Sequence, residues 1–210
     1  MSNFQICNSD GSLVIDSEYK HTLVAEHKVP KFYPPDLWGD TIFGDLHKLS
    51  CLAINELSVG LLYWARLSPG AWCWPGAKYF TAGGVELIAT SHNIAMQSGY
   101  LDVFSAKSEL IWTAKSASDM PRVRSIVEVT SAVDNGIQSV PSSFSPWFPI
   151  NCMPADLFES EVSTQNAGIL VRWTGMELQL TWLKYRTQTY SERFSGRGYL
   201  KFPIATFMNR

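Results

Sequence analysis

The chain has 210 residues, of which 46% are hydrophobic and only 17% charged, and its formal net charge is −2. This charge excludes the basic signature of a nucleic-acid-binding protein or of a protein that adheres to anionic membranes. No apolar run approaches the roughly 18 residues of a membrane-spanning helix, and no signal-peptide pattern opens the chain. We expect a protein made in a cytoplasm, without nucleic-acid binding or membrane insertion.

Aromatic residues are abundant, with eight Trp, eight Tyr and eleven Phe. Flat rings pack well on half-buried sheets, and they also serve as anchors in interfaces. All-β proteins of this length commonly fold as one unit, and no linker divides the chain. We therefore expect residues 1–210 to form a single β-rich domain, with much of its surface covered by neighbouring subunits.

The first elements are short strands. Residues 4–7 and 12–16 flank Asp10-Gly11, and this dipeptide accepts the positive φ angles of a tight hairpin turn. A third strand is predicted over residues 22–29, followed by a proline-rich loop over residues 31–45. Further strands are predicted at residues 49–55, 60–67, 85–89, 101–104, 109–114 and 123–130. Trp72 and Trp74 are two residues apart and would share one face of a strand.

The second half of the chain echoes the first in pattern. Setting Asn3 against Tyr100 without gaps pairs Ile6 with Val103 and Leu13 with Leu110. A duplicated hairpin that pairs two sheets face to face would produce this echo, and two unrelated hairpins would produce it equally.

The last third predicts a turn at residues 134–136, a loop over residues 141–154 and a second clear hairpin. Its strands, residues 167–173 and 176–185, alternate with period two around Thr174-Gly175. Closing strands are predicted at residues 199–203 and 204–208. The fold class is therefore all-β: a β-sandwich or two packed antiparallel sheets, with a duplicated hairpin unit as one of the two explanations of the echo.

Recognisable catalytic motifs are absent, so we do not expect an enzyme or a cofactor. His21 and His27 could share a strand face, but no further residue completes a metal-ligand spacing, so no metal site is predicted. Thr90-Ser91-His92 is better explained as a hydrogen-bonded loop than as a nucleophile and its base. Four scattered cysteines form no Cys-x-x-Cys pair and are expected to be reduced and buried; they are Cys7, Cys51, Cys73 and Cys152.

The C-terminal segment is basic, because residues 183–210 hold six basic residues against Glu192 alone. This segment could dock on an acidic neighbour such as another copy of the chain. The alternative is a solvated basic edge that discourages aggregation. Four tryptophans in or near predicted loops could instead line a sugar-binding groove, although such rings equally often close the end of a β-core: Trp38, Trp72, Trp74 and Trp147.

Residues 1–17, MSNFQICNSDGSLVIDS, resemble the start of small structural proteins encoded among the tail and tail-fibre genes of tailed bacteriophages. In those proteins a strand, a polar turn with Asp-Gly and a strand ending in Asp-Ser recur. The resemblance is specific over residues 1–30. Residues 99–113 look like a second copy in which Lys107-Ser108 replaces Asp-Gly.

The resemblance implies a virion protein that joins copies of itself, as a trimer or larger ring, to tail or fibre proteins. A module that binds a host-surface glycan or protein is the alternative. We expect the partner contacts to lie on the N-terminal hairpin, the paired tryptophans and the basic C-terminal segment: Phe4, Ile6, Trp72, Trp74, Arg193, Arg197 and Lys201.

Overall fold

The computed structural model describes residues 5–7, 13–16, 22–28, 32–33, 49–52, 57–81, 83–160, 163–185 and 187–208. The first half of the chain contains β1 (Gln5–Cys7), β2 (Leu13–Asp16), β3 (Leu23–Lys28), β4 (Phe32–Tyr33), β5 (Leu49–Leu52), β6 (Leu62–Leu67), β7 (Trp72–Trp74), β8 (Tyr79–Thr81) and β9 (Val85–Ser91). The second half contains β10 (Asp102–Phe104), β11 (Leu110–Thr113), β12 (Arg122–Glu128), β13 (Gln138–Pro141), β14 (Trp147–Pro149), β15 (Ala155–Ser160), β16 (Ser163–Trp173), β17 (Glu177–Tyr185) and β18 (Lys201–Thr206).

Helices are short in the described residues. One α-helix, α1, spans Tyr190–Phe194, and 3₁₀ helices span Pro75–Ala77, Ala114–Asp119 and Ser131–Asp134. None of these helices is long and apolar enough to cross a membrane.

Two large antiparallel sheets form the body of the molecule, and the predicted all-β fold is confirmed. The six-stranded sheet has the order β12-β18-β14-β6-β9-β3, and the larger sheet has the order β13-β17-β16-β7-β8-β5-β4, with β15 added beside β16. The main core lies between the sheets. Alternate residues of β6, Tyr63, Ala65 and Leu67, point into it, as the period of two requires.

The six-stranded sheet has an internal twofold pattern. Its central pair is β6 and β14, each flanked by the last strand of its half, β9 or β18, and then by an edge strand, β3 or β12. Both edge strands carry a bulge near the same place, between Val24 and Glu26 in β3 and between Val123 and Ser125 in β12. Leu23 is thus equivalent to Arg122, and Val24 is equivalent to Val123.

The larger sheet repeats this arrangement. Its central pair is β7 and β16, flanked by β8 and β17 and then by β5 and β13, while β4 and β15 are additions. Both sheets therefore contain strands from both halves of the chain, joined by antiparallel pairs at their centres.

The hairpins β1–β2 and β10–β11 have the same strand register. Ile6 pairs with Ile15 in β1–β2, Val103 pairs with Trp112 in β10–β11, and each ladder shifts immediately after that pair. Ser108, which corresponds to Gly11 in the sequence, adopts a positive φ of 62° in the turn between β10 and β11. The shared register is what a duplicated unit would show, and the duplication stays a prediction. The two hairpins form separate two-stranded sheets and do not supply the two packed sheets.

On the outer face of the larger sheet, the packing of Trp74 requires a glycine at position 168. Trp74 is completely buried there and packs with Leu170. A Cβ at Gly168 would lie 2.0 Å from Nε1 of Trp74 and 2.8 Å from the Pro154 carbonyl oxygen. Only a glycine leaves room for the indole between these elements.

Several sequence predictions need correction. The predicted loop over residues 141–154 contains β14, a central strand of the six-stranded sheet. The predicted turn at residues 134–136 begins with Asp134, the last residue of a 3₁₀ helix. Residues 199–208 contribute one strand, β18, where two were expected. Cys73 is buried as predicted, but Cys152 is exposed. Most of the predicted loop over residues 31–45 lies outside the described residues.

Candidate interaction surface

The described residues hold no cluster of three or more His, Cys, Asp or Glu side chains that could bind a metal ion. Thr90 is buried, where its hydroxyl accepts a hydrogen bond from Nε1 of Trp64 at 3.0 Å. The Ser91 hydroxyl accepts one from the Asn93 N–H at 3.1 Å. Burial raises the pKa of the Cys73 thiol well above its usual value, which keeps the thiol protonated and unreactive. The polar residues that could suggest nucleophilic chemistry thus have structural roles.

The basic C-terminal segment is organised by α1. Thr189 caps this helix through a capping box, in which its hydroxyl accepts from the Glu192 N–H and the Glu192 carboxylate accepts from the Thr189 N–H at 2.7 Å. These bonds hold the pKa of Glu192 below its usual value. The Tyr190 hydroxyl donates to the Val129 carbonyl at 2.7 Å, which ties the helix to the end of β12.

The three predicted basic contact residues are exposed, but their surroundings differ. Lys201 forms an ion pair with Glu128 at 2.6 Å across the β12–β18 ladder. Arg197 follows α1, beside an open depression of about 340 Å³ that is lined mainly by serine, glycine and aromatic residues, Tyr199 among them. Because Lys201 is already paired with Glu128, its charge attracts an acidic partner protein less strongly than the sequence suggested.

The other predicted contact residues are separated from this segment. Phe4 lies outside the described residues, and Ile6 belongs to the β1–β2 hairpin. Trp72 and Trp74 do share one face of β7, but Trp74 has no exposed surface to offer a partner. Trp72 is half-buried, with the Arg172 guanidinium 5.3 Å from its ring centroid.

The predicted tryptophan groove is not assembled in the described part of the chain. Trp147 is buried in the centre of the six-stranded sheet and Trp74 is buried on the outer face of the other sheet. The two rings therefore belong to different sheets. Of the four tryptophans, Trp38 lies outside the described residues, and only Trp72 keeps a partly accessible ring.

The outer face of the six-stranded sheet carries an aromatic cluster at its centre. Phe207 meets the rings of Trp64 and Trp147 edge-on, with centroids 5.9 Å and 5.5 Å apart. Arg66 lies over the Trp147 ring and forms a 2.6 Å ion pair with Glu86. Trp64, Trp147 and Phe207 are buried, so this part of the face is closed.

The same face is open at its β12 end. Val123 lies opposite Ala205 and Ile126 opposite Pro203, which places both side chains on the outer face beside the aromatic cluster. They are 40% and 58% exposed. All residues from Arg122 to Ile126 are exposed, although they belong to a strand. An edge strand with uncovered apolar side chains is a typical docking surface.

The backbone of β12 is also open on one side. The Val129 N–H donates to the Leu200 carbonyl. Because the backbone N–H and C=O groups of successive residues point to opposite sides of a strand, those of Ser125 and Val127 point toward β18 and those of Ile126 point away from it. At the C-terminal end of β12, the Gln138 side-chain N–H donates to the Glu128 carbonyl at 2.7 Å, so this outward-pointing backbone group is already paired. No described strand pairs with the outer side of residues 122–126.

Two arginines, Arg122 and Arg124, belong to this part of β12. Arg124 donates to the Thr206 hydroxyl at 3.1 Å and Arg122 contacts the Met208 sulfur, and neither contacts a carboxylate within the described residues. We call residues 122–126 of β12 the open edge. Sequence reasoning predicted a strand here but did not select these residues. The signal was a run of Arg, Val, Arg, Ser and Ile in which charged and apolar residues are interleaved before the buried Val127.

The comparisons with known proteins give a family but no activity. No curated protein and no solved structure matches the chain. A family model described as a domain of unknown function, DUF8377, matches residues 1–209. The chain therefore belongs to the DUF8377 family.

Proposed function

We propose that this chain is a structural or adaptor protein of a bacteriophage tail, which assembles with itself and with tail or fibre proteins. The observation that supports self-assembly is the open edge. Within the part of the chain that the structure describes, it combines backbone groups that no strand pairs, exposed Val123 and Ile126, and two arginines that contact no carboxylate. The link to a tail is supported by the resemblance of residues 1–30 to proteins of that gene region.

A binding function fits this surface better than a catalytic one. Strand addition supplies main-chain hydrogen bonds to a partner, and alternate side chains supply specificity. The described residues offer extended sheet faces for such contacts, and the Thr90 and Ser91 hydroxyls are engaged in structural hydrogen bonds.

Recognition of a host glycan by tryptophans has less support as a second function. Trp72 alone among the described candidates has an accessible ring, and Arg172 already packs against it. If Trp72→Ala abolished binding to host polysaccharide while leaving the thermal transition unchanged, the chain would act in host attachment.

Two measurements test the proposal. Light scattering on a size-exclusion column should give a mass of at least two chains, over a range of protein concentrations. Phage particles purified by density gradient from cells that encode the chain should contain its peptides by mass spectrometry. Absence of these peptides from intact particles would contradict the assignment to a virion.

A further inference from the structure

We propose that the depression beside α1 binds one unit of an acidic saccharide, that is, a sugar that carries a carboxylate. This binding function goes beyond the proposed assembly role and does not depend on it. The lining residues come from α1, from the segment that joins α1 to β18 and from the 3₁₀ helix Ser131–Asp134. The volume of about 340 Å³ lies in the range of natural sites for small ligands.

Packed aromatic rings support the depression. The Tyr190 ring packs on the Phe194 ring with centroids 4.6 Å apart, and Trp182 meets both rings edge-on. Trp182 donates from Nε1 to the Gln188 carbonyl at 3.0 Å, and the Tyr190 hydroxyl is bonded to two backbone groups. A site whose support is fixed before the ligand arrives loses little conformational entropy on binding.

An exposed aromatic ring and two serine hydroxyls line the depression. Tyr199 is 52% exposed, so its ring is open to a ligand. The C–H groups of a sugar pack against an aromatic face, which leaves the sugar hydroxyls available for hydrogen bonds. The hydroxyls of Ser131 and Ser195 have no hydrogen-bond partner within the described residues and offer such bonds. A saccharide therefore fits this lining better than a purely apolar ligand does.

Further free groups at the depression are hydrogen-bond donors. Arg197 lies between the lining residues Gly196 and Gly198, is exposed, and contacts no carboxylate in the part of the chain that the structure describes. The backbone N–H groups of Gly198 and Tyr199 have no acceptor among the described residues either. A guanidinium together with backbone N–H groups recognises a carboxylate through charge-assisted hydrogen bonds.

The neighbouring carboxylates are already engaged. Asp134 accepts from the Tyr190 and Ser191 N–H groups at 2.5 Å and 3.0 Å, and Glu192 accepts from the Thr189 N–H. A neutral sugar presents many hydroxyl donors, which need free acceptors, whereas an acidic sugar adds carboxylate oxygens that only accept. The excess of free donors therefore selects a sugar with a carboxylate.

A matched pair of probes tests the ligand class by isothermal titration calorimetry. Oligomers of galacturonic acid carry a carboxylate on every sugar, and their methyl esters keep the same rings without the charge. The wild-type chain should bind the acid about tenfold more tightly than the ester, and added salt should reduce this difference. Equal affinities, or no binding of either probe, would overturn the inference. Displacement of the acid by an equal concentration of inorganic phosphate would also overturn it, because the site would then recognise an anion without the sugar.

Variants with matched controls locate the site. Arg197→Met should lower the affinity for the acid about tenfold and leave that for the ester unchanged, whereas Lys107→Met, which removes an exposed cation in the β10–β11 turn, should change neither. Tyr199→Ala should weaken binding of both probes. Tyr199→Phe keeps the ring and should bind as the wild type does, and so should Tyr100→Ala, which removes another exposed ring.

The possible failures are distinguishable. The four substituted residues are exposed, and circular dichroism with thermal unfolding checks that each variant is folded. Binding of the acid that survives both Arg197→Met and Tyr199→Ala, or that is lost in Trp72→Ala instead, would place the sugar elsewhere and contradict the inference. The assembly role is tested by the presence of the chain in phage particles, so either conclusion can fail while the other stands.

Discussion

The two edges of the six-stranded sheet occupy equivalent places in the molecule but have opposite surroundings. β3 begins with a buried Leu23 and receives the 3₁₀ helix of the second half, whereas β12 begins with Arg122 and is exposed over five residues. The backbone differs little, since both strands pair with an equivalent neighbour and carry a bulge. Side chains and the contact with a 3₁₀ helix from the second half, rather than strand geometry, cover one edge and leave the other exposed.

Truncating a core residue should have the largest effect on the free energy of unfolding, and the effect should be similar in the two halves of the chain because both contribute to one core. Leu87 and Phe202 are equivalent residues of β9 and β18, and both are buried. Leu87→Ala should lower the free energy of unfolding by about 2–5 kcal/mol and Phe202→Ala by about 3–5 kcal/mol. Urea unfolding followed by tryptophan fluorescence should show a single transition in both variants. Two separate transitions would show that the halves fold independently.

The edges should differ when equivalent residues are truncated. Leu23→Ala should cost about 2–5 kcal/mol, because it leaves a cavity under the covered edge. Arg122→Ala should change the free energy of unfolding by less than about 0.5 kcal/mol. Both values are measured by urea unfolding at a concentration where the chain is monomeric. Similar costs for the two variants would contradict the contrast between the edges.

Tyr190 tests how the end of β12 is fixed. Its hydroxyl donates to the Val129 carbonyl and accepts from the Leu200 N–H. Tyr190→Phe leaves these groups unpaired and should cost about 1–3 kcal/mol. Thermal unfolding at neutral pH measures this loss.

The same residue gives a pH dependence. Burial raises the pKa of Tyr190, so the unfolded chain releases the phenolic proton more readily than the folded chain. The stability that the protonated Tyr190 provides is fully present below the ordinary tyrosine pKa of about 10, and it is lost as the pH rises toward the raised pKa of the folded chain. Stability should therefore fall above about pH 10 in the wild type, and less steeply in Tyr190→Phe. An equal slope in both proteins would contradict this role.

The smallest effect concerns the two hairpins. Ser108 adopts a left-handed conformation, and the residue that corresponds to it in the first half of the sequence is Gly11. Ser108→Gly should remove strain and raise the free energy of unfolding by at most about 1 kcal/mol, offset in part by the freedom of glycine in the unfolded chain. Differential scanning calorimetry measures the change. A clear loss of stability would indicate that the Ser108 side chain, not its backbone, holds the turn.

Local patterns predicted much of the fold. The Asp-Gly turn and the period of two revealed the hairpins β1–β2 and β16–β17, and the spacing of Trp72 and Trp74 indicated their shared face. β14 was missed because its three residues, Trp147 to Pro149, follow a proline-rich stretch and include a proline. Its place in the sheet depends on pairing with β6, which is distant in sequence.

The candidate surface was harder to predict. Which strands lie at an edge is decided by contacts between distant segments, and the interleaved charged and apolar residues of β12 do not by themselves reveal its place in the sheet. Burial of Trp74 likewise depends on Gly168, far along the chain, which leaves space for the indole. Phe4, Ile6 and the basic C-terminal residues stay predictions as partner contacts.

The Gln138 side chain sets the length of strand that can be added to β12. By occupying the Glu128 carbonyl, it leaves five residues, about 17 Å of backbone, for an incoming strand. Cross-β aggregates are typically built from segments of six or seven residues that stack without limit. A template shorter than this, bounded by an amide and interrupted by a bulge, gives fibrillar growth no continuous edge to follow.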